Sequence, residues 1–273
     1  MTNHRNNPIR KILLMLALSA LMLAQVGCSE ETPLTPVTSN TSEAPVLPDP
    51  QRLSVDLGFF ADGKSADKSQ NHFFNAYLRA VIVTAMTELV LAPPVAAFSV
   101  ALHTPPSHQA DGSWIWVYTH VQGLEEVQIR LHGLPVDDGV QWSLYVSDNN
   151  PAHPIDHELW FDGNTANEGE EGAWTFYDFN LDGKPAVAEL QWGESDRGTY
   201  LSLTALEGED AGNVLTYLQD GPLCSIEFQE AMDGNPWYIR WNEDDGTGSL
   251  QVPDYNYGEV GCWDSYQQDT SCD

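Results

Sequence analysis

The chain predicts an α+β domain, with one apolar helix packed against or inside a curled, barrel-like antiparallel β-meander of about nine to ten strands. Three observations predict it. Residues 70–91 are apolar at helical spacing. From Gly112 onward the apolar period switches to two, and Asx-Gly turns separate the runs. Residues 51–273 have the length of one domain, so helix and strands share a core.

In the helical stretch, QNHFFNAYLRAVIVTAMTELVL, Phe73, Tyr77, Val81, Ala85 and Leu89 form one stripe. Phe74, Leu78, Ile82 and Met86 form another, so the helix is apolar nearly all round and is expected to be deeply buried. Asn75, Arg79 and Glu88 make it a poor membrane span. Pro93-Pro94 is expected to end it, with VAAFSVAL as a second short helical piece. In SWIWVYTHV, Trp114, Trp116, Tyr118 and His120 share one face and Ile115, Val117 and Val121 the other. EEVQIRL points Val127, Ile129 and Leu131 inward, and similar runs follow at VQWSLYV, AWTFYDF, AVAELQW, GTYLSLTAL, VLTYLQ, CSIEFQ, WYIRWN and SLQV. A meander this long is expected to curl and close, because open edges invite pairing. The nine tryptophans all lie between Trp114 and Trp263, where core and cross-strand packing is their expected role.

Before the domain, Arg5, Arg10 and Lys11 precede the apolar run Ile12 to Ala24, which is too short to cross a bilayer. The segment closes on Gln25-Val26-Gly27-Cys28, which resembles a bacterial lipobox, with Gln25 where that family favours Leu. The resemblance implies a signal peptide over 1–27, a diacylglycerol on the Cys28 thiol and an N-terminal lipid anchor. Ser29 after the cysteine implies the outer membrane, and Glu30-Glu31 is similar to the acidic signals of surface-exposed lipoproteins. Residues 28–50 are the lipidated cysteine and a Pro/Ser/Thr-rich tether, able to reach about 70 Å when extended. Residues 51–273 are then a single helix-plus-meander domain. PPVAAF, GSWIW, WTFYDFN and CWDSYQQDTSC resemble uncharacterised secreted bacterial lipoproteins, a family that brings no known activity.

The formal net charge is −29. Three of the eleven bases and none of the 40 acids lie in 1–27, so eight bases against 40 acids leave −32 beyond it. That charge repels nucleic acid and anionic lipid headgroups. With Cys28 lipidated, Cys224, Cys262 and Cys272 remain. Outside the cytoplasm a Cys262–Cys272 disulfide across a short polar loop is expected, and Cys224 in LCSIEF reads as a buried free thiol.

Four motifs carry chemistry on paper. Gly58 to Ser65, GFFADGKS, matches the phosphate-loop pattern, but Asp62 puts a negative charge in the cradle and no βαβ unit follows, so a turn before the helix is expected and no nucleotide. Asp178, Asn180, Asp182 and Glu189 match the spacing of a calcium loop, with the Lys184 carbonyl as a further ligand; strand-like flanks and Pro185 favour a plain Asp-Gly hairpin instead. His153 and His157 stand four apart, but Pro154 opposes the helix that zinc would need. Gly193-Glu-Ser195-Asp-Arg-Gly198 lacks nucleophile-elbow spacing. The chain is therefore expected to be a non-enzymatic envelope lipoprotein with a structural or binding role and no cofactor. Two alternatives are a carrier of an apolar or carbohydrate ligand in a barrel cavity and a calcium-stabilised surface protein.

Overall fold

The computed structural model describes residues 43–61, 71–151, 154–232 and 236–272. Cys28 with its signal segment, most of the tether, Asp62 to Ser65 and His153 lie outside the described residues.

The domain is mainly one antiparallel sheet. Its strands are β1 (Ser107–His108), β2 (Trp114–Gln122), β3 (Glu125–Val136), β4 (Gly139–Asp148), β5 (Ile155–Ala166), β6 (Glu171–Tyr177) and β7 (Ala186–Ser195). They continue as β8 (Gly198–Ala205), β9 (Val214–Asp220), β10 (Leu223–Gln229), β11 (Trp237–Asn242), β12 (Gly248–Gln251), β13 (Gly261–Trp263) and β14 (Asp269–Thr270). The fourteen strands lie in sequence order, each paired with the next, and none pairs β14 back to β1 among the described residues. This corrects the expected fold class: the sheet is open, not barrel-like, and has fourteen strands where nine or ten were expected. The extra strands are short or irregular. β1, β13 and β14 have two or three residues, too few to show a period. β5 carries register shifts opposite Leu144/Tyr145 and Val146/Asp148, which break its alternation.

A short turn of helix, α1 (Gly58–Ala61), precedes the long helix α2 (His72–Ala101). Asn71 caps α2, its side chain accepting the Phe74 N–H (2.8 Å). The helix runs through Pro93-Pro94 instead of ending there. Two prolines cost about 3 kcal/mol each in a helix interior. What offsets them is the packing of the turn beyond: Phe98 is fully buried, stacked on Trp174 (5.1 Å between centroids) and edge-on to Trp142 (5.3 Å). Nor is the helix buried all round. Phe73, Ala76, Ala80, Val83 and Leu91 are buried, while Leu78 and Ile82 are 43% and 58% exposed. A single open sheet covers one side of a helix only. No helix of the described residues is long and apolar enough to cross a membrane.

The core lies between α2 and one face of the sheet. Its centre is a series of tryptophans set over glycines of the neighbouring strand: Trp142 opposite Gly133, Trp174 opposite Gly163, Trp192 opposite Gly172 and Trp263 opposite Gly248. A Cβ on Gly133, Gly172 or Gly248 would come within 2.7, 2.4 or 2.1 Å of the facing indole. The indole fills the space that glycine leaves, which lets large rings lie flat along the sheet. At the other end Phe59, Phe60 and Phe73 pack on Trp241 and Trp263.

Candidate functional site

The face of the sheet opposite α2 carries no helix among the described residues. Register places Tyr200, Leu218, Ser225, Arg240 and Ser249 in one cross-strand row on that face. These residues alternate with Cys224, Ile226, Ile239, Trp241 and Leu250, which are buried in the core. Where the row meets the β7–β8, β9–β10 and β11–β12 turns, the surface forms an open groove of about 490 Å³. Arg197, Leu218, Ser225, Arg240, Asn242 and Ser249 line it, with Asp196 and Asp220 also among its lining residues.

Local structure holds this groove in shape. The Asp245 carboxylate accepts the Thr247 N–H (2.8 Å) and hydroxyl (2.7 Å), bonds that hold its pKa below the usual carboxylate value. The Asn242 amide donates to the same carboxylate (3.2 Å), fixing the β11–β12 turn. The Arg240 guanidinium lies over the Tyr238 ring at 5.4 Å. Cys224 is buried and free, and the Tyr217 hydroxyl donates to its sulfur (3.6 Å). Burial pushes the Cys224 thiol up to about 11 and raises Tyr217 as well. The thiol is therefore unreactive at neutral pH. The groove offers hydroxyls, an amide and guanidinium donors along a line, which suits a polar ligand in extended contact.

The residues of the calcium loop do not converge. The Asp178 carboxylate turns back to accept the Asn180 N–H (2.9 Å) and side-chain amide (3.0 Å). Asp182 is exposed in the β6–β7 turn, where Gly183 and Lys184 adopt positive φ. Glu189 sits on β7 between Thr175 and Thr204 and accepts from Gln191 (2.7 Å). Among the described residues no group of three or more His, Cys, Asp or Glu has the geometry to hold a metal. The Lys184 ammonium bonds Glu158.

His157, the described member of the histidine pair, stacks on Tyr145 (4.4 Å). Ser195 donates to the Gly198 carbonyl (3.0 Å) in the β7–β8 turn. In the phosphate-loop match, the Gly58 N–H donates to Asp56 (2.8 Å) at the start of α1. Cys262 and Cys272 form a disulfide with Cα atoms 5.4 Å apart.

Ser225, Arg240 and Ser249 carried no local signal. They lie on three strands and meet only through register, which single-sequence periodicity does not report. No protein-family model matches the chain, and no curated protein matches it.

Proposed function

We propose that this protein is an exported lipoprotein, anchored to the outer membrane through Cys28, that acts at the cell envelope by binding or structural contact and not by catalysis. The observation that carries the reading is the open sheet. One face lies under α2 and, among the described residues, the other is left uncovered, with a row of mostly polar side chains laid across it. Catalytic sites gather their polar groups around a concave, water-excluding pocket; a row spread over five strands instead favours contact with an extended partner. The anchor rests on Arg5, Arg10, the Lys11–Cys28 segment and the tether after it. The barrel carrier is not retained, since the sheet is open and its face toward α2 is filled by Phe98 and the tryptophans.

The test is expression in a bacterial host fed labelled palmitate. The chain takes up label and partitions with outer membranes, and Cys28→Ala loses both properties. A wild-type chain that takes up no label and stays in the soluble fraction contradicts the proposal.

A further inference from the structure

β2 is nine residues long, but β1 pairs with only Trp114 and Ile115. Past Ile115 no strand lies on that side of β2 among the described residues. The hairpin fixes which backbone groups face outward. The Gln109 N–H donates to the Ser113 carbonyl (2.8 Å), so Ser113 faces β1. Alternation then turns Ile115, Val117, Thr119 and Val121 to the same side. Beyond the end of β1, Val117, Thr119 and Val121 present three N–H donors and three carbonyl acceptors along an open edge.

This edge lacks the usual guards. Trp116 to Gln122 contains no charge, no proline and no glycine, in a chain with 51 charged residues of 273. Val117 and Val121 are 38% and 61% exposed. A small apolar dimple lies where the end of α2 (Ala97, Val100, Ala101) and Thr104 beyond it meet Trp116 of β2 and Ile129 and Leu131 of β3.

We propose that the β2 edge captures an extended cationic peptide segment as a further strand of the sheet. Charge decides between occupants. A second copy of the chain brings the same net charge of −29 to the contact. An edge about 24 Å long also buries far less than the roughly 1,200–2,000 Å² of a stable dimer. A peptide with lysines flanking β-branched residues makes the same backbone bonds and gains attraction from the acidic chain, including Asp111 and Glu126 near the two ends of β2. The inference is independent of the lipid anchor and of the groove on the open face.

A labelled peptide of alternating Lys and Val, titrated into the full chain and followed by fluorescence anisotropy, tests it. Binding is saturable and slows amide exchange at Val117, Thr119 and Val121. Thr119→Pro, which removes the central donor at an edge position that tolerates proline, weakens it roughly tenfold. Three results overturn the proposal. One is binding unchanged by Thr119→Pro with the Val117 and Val121 amides still exposed, which shows that charge alone holds the peptide. Another is equal binding of the peptide with Glu in place of Lys. The last is a concentration-dependent dimer that hides the same amides without peptide, which assigns the edge to a second copy.

Discussion

At one margin of the sheet, β13 and β14 are three and two residues long and the Cys262–Cys272 disulfide ties them to the chain end. The start of α2 meets them there: the His72 N–H donates to Asp269 (2.8 Å) and the Asn71 amide to the Gln267 carbonyl (3.0 Å). At the other margin β2 runs nine residues with a two-residue neighbour and no cross-link. The contrast shows how a long meander stays open. One edge is closed off by shortness, a covalent bond and a helix end; the other is left long and uncharged. The helix spans both regions, anchored by Phe73 beside Trp263 and by Phe98 beside Trp142 and Trp174.

Breaking either anchor has the largest expected effect. Phe98→Ala and Phe73→Ala should each cost about 3–5 kcal/mol in denaturant unfolding. Phe98→Ala raises amide exchange near β2–β6, and Phe73→Ala raises it near β12–β13. Equal exchange changes at both ends would show that α2 does not couple to the two margins separately. Removing the disulfide with Cys262→Ser and Cys272→Ser should cost about 2–3 kcal/mol, and proteolysis should begin in the last dozen or so residues. Reducing agent should reproduce the loss.

Alkaline pH probes the interior behind the groove. The Cys224 pKa is raised from 9.0 to about 11 by burial, so the folded state keeps a proton that the unfolded state gives up. That contribution is fully present below pH 9 and is lost as pH rises through about 11; Tyr217 adds in the same direction at higher pH. The melting temperature should fall from pH 9 upward, and Cys224→Ala should remove the earlier part of the fall. The smallest effect is expected at the β6–β7 turn. Asp182→Lys should change stability by less than about 0.5 kcal/mol, equally with and without millimolar calcium. A calcium-dependent difference would restore a cation to that turn.

Much of this contrast was readable in the residues, and the unread part has physical causes. The helical stretch, the strands from β2 to β4, the Asx-Gly turns and the cysteine pair have short-range signatures. Pro93-Pro94 misled because Phe98, five residues past the first proline, finds its partners on β4 and β6, far away in sequence. β5 was hidden by its register shifts, and by Gly163, whose place is explained by the Ala173 carbonyl and the Trp174 ring on the neighbouring strand. Whether the sheet closes is a matter of which strand meets the first, and no residue pattern within a strand encodes that. The groove is illegible for the same reason: Ser225, Arg240 and Ser249 are ordinary outward-facing residues until register lines them up.

The most direct test is amide hydrogen exchange along β2 in the free protein, followed residue by residue. An open sheet with a bare edge predicts alternation: Trp116, Tyr118 and His120, bonded to β3, exchange slowly, while Val117, Thr119 and Val121 exchange fast. Uniform protection across all six, in dilute protein without peptide, would mean that the edge is already paired and the sheet is not open.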